Sequence, residues 1–268
     1  MIECSPSLVR SHDHVCLVYD DPEEQLSVVL PLFCEGLSAR ERCVWVLDDL
    51  PMEVARRALE GAGIDVARHV NDGSLVLWRR PEWRPHTLRP DERLAEVRAL
   101  VERTVADGHA GIRFAIDMTW TLDPDIPADQ LEAWEARLDS LFDGSLPVRM
   151  ICQYGQRRLG PDVVQAGLRT HRRVALDGQV CDNPFYDVAL PAGGDATGVA
   201  PPTRGPATAW MLRQLHASVA DQTELKSARR SLEMQLAVAR VLADATSLEL
   251  AAPRLLSAIC AGGGWDAG

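Results

Sequence analysis

The residues best equipped for chemistry in this 268-residue chain fall into short groups. His12, His14 and Cys16 alternate, so on one strand they would share a face and offer two imidazoles and a thiol to a metal ion. The plainer reading is a core strand with a satisfied histidine and a small apolar cysteine, which leaves metal binding a secondary expectation. Asp48 and Asp49 close one apolar run and Asp117 closes another. Carboxylates there could move protons or hold a cation, but Asp48 and Asp49 equally suit the cap of the following helix. Arg157 and Arg158 could bind an anion or stay solvated. Tyr19, Trp120, Tyr154 and Trp83 could wall a pocket or fill a core. No Ser/His/Asp or Cys/His spacing is diagnostic, so the residues present predict neither an enzyme nor a bound cofactor.

These groups need a scaffold, and the apolar runs supply one. Ile112 to Trp120, IRFAIDMTW, reads as a buried central strand that ends on Asp117, Thr119 and Trp120. The runs His12 to Tyr19, Cys43 to Leu47, Leu75 to Trp78 and Val148 to Cys152 likewise end in polar or aromatic residues. Helical patterns separate them, beginning after Asp21-Pro22 and running to about Ala39 with Pro31 inside, then Met52 to Glu60, a helix capped by Asp91, Ala128 to Phe142, and Pro161 to Thr170. Short strands are expected around Val174 and Val180. The alternation predicts an α/β fold with three layers and a mostly parallel sheet, whose carboxyl edge carries the ligand site. The long segment with Trp83, Pro85, His86 and Pro90 is a candidate lid.

Asp117 sits where a nucleotide-binding strand would place its magnesium-positioning acid. The turn after the first strand is YDDPEE, however, acidic where phosphate would bind, and the only lysine, Lys226, lies far outside the sheet region. ATP hydrolysis by this domain is therefore not expected. A net charge of -11 and a pI near 5.1 argue against nucleic acid as a partner. The sequence shows neither a long apolar span nor a signal-peptide pattern, so a cytoplasmic protein is expected. Seven cysteines without CxxC spacing fit reduced thiols better than a disulfide framework.

Residues 1–190 thus form a sheet domain, and 191–208, rich in Pro, Gly and Ala, read as a linker. From Trp210 to Asp244, within a helix expected over 209–246, Leu225, Leu232 and Ala239 recur every seven residues with Ala228, Gln235 and Leu242 between them. This imperfect heptad seam predicts a signalling helix that forms a homodimer, with a solitary amphipathic helix as the alternative.

Six motifs recur in order: HVCLVYDDPEE (His14 to Glu24), VLPLFCEGL (Val29 to Leu37), DMTW (Asp117 to Trp120), CQYGQRRL (Cys152 to Leu159), RTH (Arg169 to His171) and NPFY (Asn183 to Tyr186). Together they resemble the MEDS family of sensory domains over about residues 10 to 188. The resemblance implies a degenerate RecA/KaiC-like fold, without a working P-loop, that senses small hydrocarbon derivatives. His14, Cys16, Asp117, Trp120, Gln153, Tyr154, His171, Asn183 and Tyr186 match the motifs. With Tyr19, Asp48 and Thr119 they make up the expected ligand-binding set. Residues 247–268 resemble the lead-in helix and first strand of a truncated GAF domain, as in bacterial sensor histidine kinases.

The resulting expectation is the input region of a bacterial signalling protein that binds a small molecule and signals through the helix. A protein-interaction scaffold without a ligand and the input domain of a transcription regulator are the alternatives. A residual enzyme built on Asp117 with Asp48 or Asp49 is a third.

Overall fold

The computed structural model describes residues 9–83, 89–122, 128–187, 204–244 and 248–263. The chain divides into two compact units, Met1–Leu215 and His216–Gly268. The first holds a seven-stranded sheet. Its strands are β1 (His14–Tyr19), β2 (Arg42–Leu47), β3 (Leu75–Arg79), β4 (Ile112–Asp117), β5 (Val148–Gly155), β6 (Arg173–Leu176) and β7 (Gln179–Asp182), in the order β3-β2-β4-β5-β1-β6-β7. All pairings are parallel except the β6–β7 hairpin at one edge. Asp177 and Gly178 join that hairpin with φ of 50° and 67°, as a tight two-residue turn requires.

The helices of this unit are α1 (Pro22–Ser38), α2 (Met52–Gly61), α3 (Val66–Asn71), α4 (Arg80–Trp83), α5 (Pro90–Ala106), α6 (Ala128–Leu138) and α7 (Pro161–Thr170). They cover both faces, so β1 and β4 are buried along their whole lengths. On one face Val15, Leu17, Trp45, Ala115 and Ile151 pack with Val29, Leu32 and Phe33 of α1 and with Ala55 and Leu59 of α2. By the two-residue alternation of a strand, His14, Cys16, Met150, Cys152 and Tyr154 turn to the other face. There α6 and α7 pack together and α7 lies on β1 and β5.

The architecture agrees with the sequence reading, while local boundaries shift for identifiable reasons. Asp21 caps α1, its carboxylate accepting from the backbone N–H groups of Glu23 and Glu24 at 2.9 and 3.0 Å. Neither Asp48 nor Asp49 caps α2, whose N-cap is Pro51 without a side-chain bond. Asp91 lies in the first turn of α5 rather than at its cap. β1 starts at His14 because His12 adopts φ of 61° and its Nδ1 lies 2.9 Å from the Leu146 carbonyl. Helix α8 (Arg204–Asp244) begins at Arg204, so 204–208 are helical rather than linker. Gly205 and Pro206 fall in the first turn, where proline costs no hydrogen bond. The Thr208 hydroxyl donates to the Pro161 carbonyl at 2.8 Å, and the rings of Trp210 and Phe185 meet edge to face at 5.5 Å.

In the second unit, α8 continues and α9 (Leu248–Gly263) follows. The strand expected near the C-terminus lies largely outside the described residues, as do 84–88 of the lid segment and most of the linker. Cys16, Cys43, Cys152, Cys181 and Cys260 are free thiols. No helix among the described residues is long and apolar enough to cross a membrane.

Candidate functional site

The expected ligand residues separate into two groups on opposite faces of the sheet. The first lies at the carboxyl edge, where Asp117 ends β4. Its Oδ2 accepts from the Asp49 backbone N–H at 2.8 Å, and its Oδ1 accepts from the Thr119 N–H at 2.9 Å. The Thr119 hydroxyl lies 2.7 Å from Asp117 Oδ1 and 2.9 Å from Asp48 Oδ2. A hydroxyl carries one proton, so two carboxylates around it require a second proton for both contacts to be hydrogen bonds. Burial raises Asp117 above the usual carboxylate range, with the Asp48 charge adding to the shift against the hydrogen bonds from Thr119 and Asp49. Asp117 thus takes up a proton more readily than an exposed carboxylate does.

Around this acid stand Tyr19 and Gln153. Burial, helped by the charges of Asp117 and Asp49, pushes the Tyr19 phenol up and keeps it neutral. Gln153 pairs in register with both Leu17 and Asp117, and its Oε1 accepts from Gln25 Nε2 at 2.8 Å. Gln153 Nε2 and Trp120 Nε1 are buried donors with no hydrogen-bond partner among the described residues. Arg158 reaches Asp49 at 3.2 Å, and both side chains stay exposed to solvent.

The second group lies beneath α6 and α7. His14 Nε2 stands 3.3 Å from Glu135 Oε2 and 3.5 Å from Cys152 Sγ, and Glu135 Oε2 is 3.6 Å from His171 Nε2. The Tyr154 hydroxyl donates to Glu135 Oε1 at 3.4 Å. All these groups are buried. The His14 ring stacks on Phe142 at 4.8 Å, and its Nδ1 faces Asp139 at 3.7 Å, an ion-pair rather than hydrogen-bond distance. Burial alone would lower His14, but Asp139 and Glu135 outweigh it and raise the imidazole above its ordinary value. Glu135 is held below the carboxylate range against its own burial by His14 and His171. Burial and the neighbouring His14 push His171 down to about 3, so that ring is neutral. Burial and Glu135 push the Cys152 thiol well up, and no substrate can reach it, so the Cys–His contact is not that of a nucleophile.

Several expected residues thus move. His12 and Cys16 do not join His14 in a ligand set: His12 precedes the strand, and Cys16 is buried beside the cluster but outside it. Tyr154 belongs to the inner cluster and not the edge. Trp83 packs in the core near Trp78 and Phe114, with the Arg93 guanidinium 4.0 Å above its ring. Asn183 is a clamp, donating to the carbonyls of Leu168 and His171 at 2.5 and 2.7 Å. Tyr186 donates to Asp139 at 3.1 Å and so supports the cluster from outside. The reading missed Glu135 and the role of Cys152. Glu135 carried a signal, since an acid four residues after Leu131 and next to Trp134 falls inside the apolar stripe of its helix.

A curated relative, the transcriptional repressor DcmR of Methylorubrum extorquens, is 24% identical over 163 residues, covering 61% of this chain. The chain spans 59% of that relative's length. Among solved structures, the flagellar accessory protein FlaH from Methanocaldococcus jannaschii is similar at 12% identity and a TM-score of 0.46, over 64% of this chain and 76% of its own. A KaiC-like protein from Pyrococcus horikoshii is similar at 13% identity and a TM-score of 0.44, over 65% of this chain and 78% of its own. Residues 13–172, which hold both groups apart from their outer supports Asn183 and Tyr186, match the methanogen/methylotroph DcmR sensory domain, and the chain belongs to that family, MEDS.

Proposed function

We propose that the sheet unit is the cytoplasmic input module of a bacterial signalling protein and binds a small molecule, a hydrocarbon derivative with a polar group, at the carboxyl edge of its sheet. The observation that carries this reading is the pair of buried, unpartnered donors, Gln153 Nε2 and Trp120 Nε1, in a domain whose family is sensory. A buried donor without an acceptor is costly, and a ligand oxygen or halogen would meet that need. The Thr119 hydroxyl and the Asp48 and Asp117 carboxyls offer the complementary contacts. Binding would alter the packing of the first turns of α8, whose Thr208 rests on α7, and signal through their differential stability in two states.

The output admits two readings. The GAF-like tail favours a histidine kinase, whereas the relative named a transcriptional repressor favours a DNA-binding output.

A thermal-shift screen of the full chain against small halogenated, methylated and aromatic compounds tests the input. A ligand at 100 times its dissociation constant adds about 2.7 kcal/mol of stability. The expected outcome is a shift with one compound class that is lost in Gln153→Leu and reduced in Trp120→Phe, which deletes only the indole donor. A shift unchanged in both variants would move the ligand elsewhere; none at all would favour a scaffold that docks a protein partner.

A further inference from the structure

We propose that His14, Glu135, Cys152 and His171 form a tetrahedral site for one divalent cation of the zinc type, on the sheet face beneath α6 and α7. One ligating atom from each residue lies within 4.8 Å of all the others, and all four residues are buried. Four of the six separations match a tetrahedron's edges. His14 Nε2 to Glu135 Oε2 is 3.3 Å, His14 Nε2 to Cys152 Sγ 3.5 Å, Glu135 Oε2 to His171 Nε2 3.6 Å, and Cys152 Sγ to Glu135 Oε2 3.7 Å. Zinc bonds of roughly 2.0–2.3 Å place tetrahedral ligands about 3.3–3.8 Å apart.

The hydrogen bonds around the set orient it toward a cation. His171 Nδ1 donates to the Gly167 carbonyl at 2.8 Å, so in the neutral ring Nε2 carries a lone pair. That lone pair points at a carboxylate oxygen, acceptor against acceptor, and Nε2 has no hydrogen-bond partner among the described residues. A cation between the two turns a repulsive contact into two bonds. His14 presents Nε2 to the set while Asp139 faces its Nδ1, and Tyr154 donates to the free oxygen of Glu135, the outer contacts that orient metal ligands. A thiolate and a carboxylate with two neutral imidazoles cancel a double positive charge, so the filled site is neutral in a buried interior. The imidazoles and thiolate favour zinc over magnesium or calcium. With four protein ligands the site is closed, which makes its role structural: it ties β1, β5, α6 and the residue after α7 together.

Co2+ uptake by the chelator-treated full chain tests this directly. One Co2+ per chain is expected, with the strong visible bands of tetrahedral Co2+ and a thiolate-to-cobalt charge-transfer band. Cys152→Ser should lose that band, and Tyr154→Phe, which leaves all four ligands in place, should weaken uptake about tenfold. X-ray absorption of the zinc-loaded wild-type chain needs no variant. A shell of one sulfur at about 2.3 Å and three lighter atoms at about 2.0–2.1 Å supports the site. No Co2+ uptake, an octahedral spectrum, a charge-transfer band that survives Cys152→Ser in a folded protein, or a zinc shell with no sulfur or two would each overturn it.

Discussion

Asp117 shows how a single side chain can serve two ends. It organises the β4 turn through backbone donors from Asp49 and Thr119, while sharing the Thr119 hydroxyl with Asp48. Its raised proton affinity, caused first by burial, has a definite thermodynamic sign. The stabilising contribution of its proton is fully present below the unfolded value, about 3.9, and is lost as pH rises through the higher folded value. The stability of the wild type minus that of Asp117→Asn, measured by urea unfolding between about pH 4 and pH 7, should therefore fall as pH rises. A difference that grows with pH would mean that Asp117 is ionised throughout and paired with a positive group.

At the scale of elements, Asn183 ties the segment after α7 to the end of that helix. Its amide bonds the Leu168 and His171 carbonyls, and its oxygen accepts from the Phe185 N–H at 3.0 Å. Asn183→Ala removes all three bonds and leaves buried carbonyls unpaired, a loss of about 1–3 kcal/mol. Asn183→Asp should be no better, because a carboxylate keeps the acceptor but cannot donate. Urea midpoints of both variants decide this; a cost below about 0.5 kcal/mol would mean that water or the neighbouring backbone replaces the clamp.

The strands were legible for the same reason that parts of the site were not. Apolar runs ending in polar residues locate β1, β2, β4 and β5 well, because a strand covered on both faces must be apolar throughout. That uniformity hides which residue faces which helix layer. Gln153 and Tyr154 are neighbours in sequence, yet one serves the edge and the other the inner cluster, as the alternation of a strand demands. Glu135 remained hidden because its partners His14 and His171 come from elements far from α6 in the chain, and only the packed fold brings them together.

For the whole molecule, the exposed leucines of α8 carry the question of assembly. Leu225, Leu232 and Leu242 are 70%, 61% and 53% exposed, and all three lie on the expected heptad seam. A row of apolar side chains in water favours a second copy of the helix. The full chain is thus expected to sediment as a dimer, and Leu225→Glu with Leu232→Glu should convert it to a monomer without loss of helical signal. A monomeric wild type at tens of micromolar would reject the seam.

The strand order carries a consequence for biosynthesis. β1 emerges first from the ribosome, but both of its neighbours, β5 and β6, are translated last among the central strands; His14 meets Met150 across the ladder, and Val15 meets Arg173. Until those residues emerge, the nascent chain holds one apolar strand with two unsatisfied edges. Such an interval is slow to close and open to mispairing between nascent chains. Translation that stops before β5 would release a product without the centre of its sheet, so a C-terminally shortened chain ending before Val148 is expected to aggregate rather than fold.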